Sequence, residues 1–176
     1  AALFYAKKSS EKSNIINSNN LEIGNFMLCT VHRAENTDSE DRLTSIFQAL
    51  DEIHKDCQVI LPLHPRTKKM LYKYNLSPNI TLIDPVGYFD MIEFLKNCKA
   101  VITDSGGLQK EAFFFKKPCI TLRDETEWVE LIENNFNKLA GVDIDKIISI
   151  YNKINKFNSN YEMNLYGNGN ASNVIA

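Results

Sequence analysis

No two cysteines of this sequence are closely spaced: Cys29, Cys57, Cys98 and Cys119 are scattered along the chain, and no CxxC pair occurs. Paired-spacing zinc binding is therefore not expected. The thiols lie in or beside apolar runs and read as buried free cysteines of a reducing compartment, which points to the cytoplasm. Also missing is any apolar stretch near the ~20 residues that a membrane span needs. Neither a GxGxxG fingerprint nor a Walker A loop is present. Charge of one sign is lacking too. Twenty Lys and Arg against 22 Asp and Glu leave a net −2, with a pI of about 6.0, so neither nucleic acid nor an anionic membrane is generally attracted. The chain opens Ala1-Ala2 without an initiator methionine and reads as processed, or as a piece of something longer.

What is present fits one globular domain: 176 residues, 44% of them apolar. Apolar runs recur at FMLCTV (26–31), QVILPL (58–63), NITLI (79–83), KAVIT (99–103) and PCITL (118–122), with a weaker KLAGV at 138–142. They are nearly continuous, as strands buried on both faces should be. Between them lie helical spacings. Leu43, Ile46, Phe47, Leu50 and Ile53 follow Thr37-Asp38 as N-cap residues, and Pro65 suits a first helical turn. Ile147, Ile148, Tyr151 and Ile154 form a last helix entered through Asp143 or Asp145. The alternation predicts an α/β fold with a doubly wound parallel sheet. Residues 1–22 read as a helix and linker, 23–157 as the Rossmann-like domain, and the Asn-rich 158–176 as a tail.

In such a sheet ligands bind beyond the carboxyl ends of the strands. Here most strands end in a polar elbow: His32-Arg33-Ala34-Glu35-Asn36, His64-Pro65-Arg66, Asp84 to Asp90, Asp104-Ser105-Gly106-Gly107, and Arg123-Asp124-Glu125-Thr126-Glu127. Two of the three histidines and three of the four arginines sit on them.

Ser105, Gly106 and Gly107 open a helix, whose first N–H groups lack intrahelical partners and attract phosphate. Glycine lets an oxygen approach without a Cβ in the way. A plain strand-to-helix turn is the alternative. Glu111, one turn in, is placed to accept from a ribose diol, or to pair with a neighbouring lysine. His32 and Arg33 could neutralise a diphosphate, with Glu35 holding a cation and Asn36 fixing the loop, or the group could be a loop salt bridge. His64 is either a ligand contact or a hydrogen-bonded strand end, and His54 reads as a surface residue. Arg123 lies among acids that compete with phosphate. Trp128 reads as packing or cover over a pocket, and Tyr88 as the candidate to line a base site.

Taken in order, HRAEN, LHPR, DSGGLQKEA, KPCITLRDETEW and LYGNGNAS resemble the C-terminal half of the non-hydrolysing UDP-N-acetylglucosamine 2-epimerases. The resemblance implies a GT-B arrangement, with two Rossmann-like domains facing across a cleft and the C-terminal one gripping UDP. It implies elimination of UDP across C1–C2 to a 2-acetamidoglucal, then re-addition with C2 inverted, interconverting UDP-N-acetylglucosamine and UDP-N-acetylmannosamine. No metal and no cofactor are implied.

By resemblance His32 would assist the leaving group, Ser105, Gly106 and Gly107 would form the phosphate loop, and Glu111 would bind ribose. Backbone around Val86 to Met91 would border uracil; Arg33, Glu35, Asn36, His64, Tyr88 and Arg123 complete the expected UDP site. Partners implied are UDP, a UDP-N-acetylhexosamine, an N-terminal Rossmann-like domain not in this chain, and a second copy in a full-length homodimer. Trp128-Val129 replaces the Arg-Pro of many members, which looks more like the branch of UDP-2,3-diacetamido-glucuronate 2-epimerases. The carboxylates that work on C2 belong to the N-terminal half, so the chain is expected to bind UDP weakly and not to epimerise alone. The donor half of a GT-B glycosyltransferase and a non-catalytic nucleotide-sugar module are the competing readings.

Overall fold

A computed structural model of the chain describes residues 2–157, 159–163 and 165–167. Six strands are present: β1 (Phe26–Thr30), β2 (Gln58–Pro62), β3 (Thr81–Ile83), β4 (Ala100–Thr103), β5 (Cys119–Thr121) and β6 (Asn137–Leu139). The helices are α1 (Ala2–Lys12), α2 (Ile15–Ser18), α3 (Ala34–Thr37), α4 (Glu40–His54), α5 (Pro65–Lys73), α6 (Tyr88–Asn97), α7 (Gly106–Phe114), α8 (Val129–Glu133) and α9 (Ile144–Asn152), with a 3-10 turn at Ile154–Lys156.

All strand pairs are parallel and the order is β3-β2-β1-β4-β5-β6. This is the doubly wound Rossmann-like order, and it reverses direction between β1 and β4. The predicted strands are found, each shorter than the apolar run that announced it; β3, β5 and β6 keep three residues, and β6 begins one residue before its run.

Successive residues of β1 serve opposite faces, as the period of two requires. Met27 and Cys29 join Leu43, Ile46, Leu50 and Ile147 on one side, under α4 and α9. Phe26 and Leu28 join Phe94, Leu95, Leu108 and Ala112 on the other, under α6 and α7. All four cysteines are buried free thiols, as the sequence indicated. Burial pushes the Cys98 and Cys119 thiols up to about 12.

Three helix starts were legible, Ser105 of α7 among them, and one was displaced. His64 caps α5 with Pro65 in the first turn, and Asp143, not Asp145, caps α9. The cap of α4 is Ser39 rather than Thr37 or Asp38, because residues 34–37 form the extra short helix α3. The Thr37 hydroxyl is drawn back to the Arg33 carbonyl at 3.0 Å. His54 is not a free surface side chain: its Nδ1 accepts the Val59 N–H at 2.9 Å, which fixes the turn from α4 into β2.

The first helix docks on α6 through polar contacts. Ser9 Oγ donates to Glu93 Oε1 at 2.5 Å, and Lys96 Nζ donates to the Ala6 carbonyl at 3.0 Å. Burial opposes ionisation of Glu93, but Lys96 and the hydroxyls of Ser9 and Ser10 outweigh it and hold the carboxyl below its usual range. At the other end, Tyr161 and Tyr166 close over Phe113, Phe136 and Trp128. Most of the predicted tail, 158, 164 and 168–176, lies outside the described residues. No helix among those described is long and apolar enough to cross a membrane.

Candidate functional site

The reversal between β1 and β4 leaves a crevice at their carboxyl ends, and a cavity of about 360 Å³ opens there. It is lined by Thr30 at the end of β1 with Val31 and His32 after it, Pro62 at the end of β2 with His64 after it, and Pro85, Val86 and Met91 before and on α6. Ser105, Gly107, Leu108 and Glu111 complete it from α7. The volume suits a small ligand, and the lining is an apolar wall with a few convergent polar groups.

Its floor is fixed by two strand-end threonines, Thr30 Oγ1 and Thr103 Oγ1, 2.6 Å apart. The Ser105 N–H donates to Thr103 Oγ1 at 2.9 Å, which sets the entry angle of α7. Ser105 Oγ caps that helix by accepting the Leu108 N–H at 3.4 Å. The two glycines then do different jobs. At Gly107 an added Cβ would meet nothing nearer than Ser105 Oγ at 3.9 Å, so its backbone faces open cavity. At Gly106 a Cβ would overlap the Glu127 carboxylate and approach Trp128 Nε1 to 3.4 Å. The Cβ side of Gly106 is therefore filled by a neighbouring loop.

That loop is held by charge. Glu127 takes Arg123 at 2.5 Å on one oxygen and Arg33 at 3.6 Å on the other. Burial opposes the ionisation of Glu127; its own backbone N–H, Arg123 and Arg33 prevail and hold its carboxyl low. Trp128 Nε1–H donates to the Gly106 carbonyl at 2.8 Å, and Lys110 Nζ stands 4.4 Å from the Trp128 ring centroid.

His32 and His64 face the cavity with ring centroids 5.5 Å apart. Behind His32 lies Asp104, fully buried, which accepts the backbone N–H groups of His32 and Arg33 at 3.0 and 2.9 Å and the Asn36 side-chain amide at 3.2 Å. Asn36 also donates to the Leu122 carbonyl at 2.9 Å, so it ties three elbows together beneath the site. Glu35 meets Arg42 at 3.4 Å and stays away from the cavity lining.

Glu111 points into the cavity from the second turn of α7. Burial pushes its carboxyl above the usual range. Tyr88 lies outside the lining, stacks edge-on against Tyr5, and has its hydroxyl raised by burial and by Glu111.

Of the predicted residues, the fold thus gathers His32, His64, Val86, Met91, Ser105, Gly107 and Glu111 around one cavity. Arg33, Glu35, Asn36, Gly106 and Arg123 stand behind it as framework. Sequence reasoning missed Asp104 as an anchor, although its place between β4 and Ser105 was a signal. It also missed the apolar contributors Pro62, Pro85 and Leu108, which carry no chemical signature. Among the described residues no group of three or more His, Cys, Asp and Glu is arranged to hold a metal.

Comparison with known proteins gives the family and agrees on the fold. The family model described as UDP-N-acetylglucosamine 2-epimerase matches residues 1–176. The UDP-2,3-diacetamido-2,3-dideoxy-D-glucuronate 2-epimerase of Pseudomonas aeruginosa is 46% identical over 178 residues, covering 100% of this chain and 49% of that protein. The UDP-GlcNAc 2-epimerase of Methanocaldococcus jannaschii, solved in complex with UDP-GlcNAc and UDP, superposes with a TM-score of 0.87 at 37% identity, covering 99% of this chain and 50% of that one. The Neisseria meningitidis enzyme bound to UDP-GlcNAc gives 0.73 at 26% identity, with 99% and 49% covered. The chain spans about half the length of the relatives it matches. Its order of strands, its α7 elbow and these likenesses lead to one conclusion: the chain belongs to the UDP-N-acetylglucosamine 2-epimerase family.

Proposed function

We propose that this chain is the UDP-binding half of a nucleotide-sugar 2-epimerase. The observation that carries the reading is the convergence, in one switch-point cavity, of the α7 N-terminus, two histidines and a half-buried glutamate. The diphosphate would lie on the Gly107 side of the helix end, where the backbone is open. His32 and His64 would reach it from the strand ends beside it. Glu111 would accept from the ribose diol, and Val86, Met91 and Leu108 would offer an apolar wall to uracil. Arg33 and Arg123 would act at one remove, by holding Glu127 and with it the loop against Gly106.

The chemistry would be elimination across C1–C2 of the sugar followed by re-addition of UDP to the other face. This half supplies the grip on the leaving group. Removal and return of the C2 proton needs acid/base groups positioned on the sugar, and these would come from an N-terminal domain facing the cavity. The chain by itself is proposed not to epimerise; the complete enzyme would be a cytoplasmic homodimer. Likeness to the P. aeruginosa protein, together with Trp128, favours a 2,3-diacetamido uronate over UDP-N-acetylglucosamine as the substrate.

Calorimetric titration of the purified chain with UDP, GDP and inorganic phosphate tests the reading. UDP should bind more tightly than GDP or phosphate. Gly107→Asp should abolish UDP binding, and Glu111→Ala should weaken UDP while leaving free phosphate unaffected. Equal affinity for UDP and phosphate, or a Gly107→Asp chain that still binds UDP, would overturn it.

A further inference from the structure

Each of the three histidines has one ring nitrogen engaged by a different neighbour, and the neighbours differ in polarity. His64 Nδ1 accepts the backbone N–H of Arg66 at 3.2 Å, and His54 Nδ1 accepts that of Val59 at 2.9 Å. A ring nitrogen that accepts a backbone N–H carries no proton, so a neutral ring in that position holds its proton on Nε2. His32 is the opposite case. Its Nδ1 faces Asp104 Oδ1 at 3.5 Å, and the oxygens of Asp104 already serve as acceptors for His32 N–H, Arg33 N–H and the Asn36 amide. A lone pair on His32 Nδ1 would oppose that carboxylate, whereas a proton there is attracted to it.

We propose that Asp104 is a positioning residue that keeps the proton of His32 on Nδ1, while the Arg66 backbone keeps His64 as an Nε2–H donor. Two imidazoles 5.5 Å apart on one cavity wall thereby have opposite hydrogen-bonding sense. Their surroundings are consistent with this. The charged and titratable groups near His32 are Asp104 from the β4–α7 elbow, His64 from the β2–α5 elbow, its neighbour Arg33, which pairs with Glu127, and Glu111 across the cavity. None of them donates to Nδ1 of His32.

The consequence for the reaction rests on the nucleotide reading. Only His32 is arranged to pass a proton. From the imidazolium, the Nε2 proton moves to the phosphate oxygen as the C1–O bond breaks and its electron pair stays on that oxygen. The neutral ring that remains carries its proton on Nδ1, against Asp104. Re-addition returns the proton along the same line. His64, with Nδ1 occupied and Nε2 already protonated, donates a hydrogen bond to the same diphosphate without exchanging a proton.

Ring-nitrogen NMR on the ¹⁵N-labelled, ligand-free chain, at a pH where the rings are neutral, tests the assignment. With three histidines the signals are separable by His→Gln variants. His54 and His64 should show protonated Nε2 and bare Nδ1, and His32 the reverse. A His32 with bare Nδ1, or a His64 protonated at Nδ1, overturns the proposal even before any variant is made. In Asp104→Asn the Nδ1–H preference of His32 should be lost; a folded Asp104→Asn chain that retains it removes Asp104 from the role. Arg66→Pro, which lacks the N–H, should release His64 Nδ1, whereas Arg66→Ala should not; identical His64 spectra in the two would remove the backbone from its role. The measurement uses no nucleotide, so failure to bind UDP would sink the functional reading and leave the ring states standing.

Discussion

Asp104 Oδ2 accepts the backbone N–H of Arg33 at 2.9 Å, across 71 residues of sequence. The bond fastens the elbow after β1 to the elbow after β4, the two rims of the crevice. With the His32 N–H and the Asn36 amide also on it, the carboxylate serves three donors from its buried position. Asp104→Ala should leave them unsatisfied in the interior and cost about 3 kcal/mol or more in urea unfolding. A loss under about 1 kcal/mol would mean that the elbows hold without it.

The packing of Gly106 against Glu127 makes the two glycines separable by experiment. Gly106→Ala pushes the flexible Glu127 carboxylate off a position held by Arg33 and Arg123, and loosening those partly exposed ion pairs should cost up to about 1 kcal/mol. Gly107→Ala meets open space and should change stability by under about 1 kcal/mol, the ordinary helix-propensity range. Pairing Gly106→Ala with Glu127→Ala should recover part of the loss, a coupling that a double-mutant cycle measures directly.

Glu111 predicts a pH dependence of a definite sign. Its folded-state pKa is raised by burial, so ionisation disfavours the folded chain above the unfolded value of about 4.3. Glu111→Gln should therefore raise Tm at pH 7. The advantage should vanish as the pH falls below the unfolded value, where the acid is neutral in both states. Equal Tm values at pH 7 would contradict the burial that the fold imposes.

Trp128 is the single tryptophan and donates to Gly106 O beside the open helix end. Its emission should change when UDP binds, and the change should saturate with the calorimetric isotherm. Trp128→Phe loses one hydrogen bond, worth about 1 kcal/mol of stability, and should bind UDP with calorimetry as its only readout. An emission unmoved by saturating UDP would show that the ligand leaves the helix end undisturbed.

Much of this was legible from residues that act locally. The unbroken apolar runs announced β1, β2, β4 and β5, because a strand covered on both faces has no polar side to show. The gathering of His32, His64, Ser105, Gly107 and Glu111 was legible because strand ends in a parallel sheet converge. What stayed hidden depends on partners far away in sequence. Nothing near Gly106 indicates that Glu127 will lie against it, and nothing near Asp104 shows that the amides of residues 32 and 33 will turn toward it. The docking of α1 was hidden for another reason: Ser9 and Ser10 look like a solvated run, yet they bond to Glu93 of α6. The cap of α4 moved to Ser39 because Thr37 had a use inside the short helix before it.

The pairing of the arginines has an outcome for conditions of assay. Each of the four has a carboxylate within reach: Arg33 and Arg123 share Glu127, Arg42 has Asp124, and Arg66 has Asp38. The cavity's attraction for anions therefore comes from amide dipoles and imidazole rings, not from guanidinium groups in water. Dipoles at contact distance are weakly screened by dissolved ions. Added sodium chloride should accordingly move the UDP affinity only weakly, and a steep salt dependence in the calorimetric titration would contradict it.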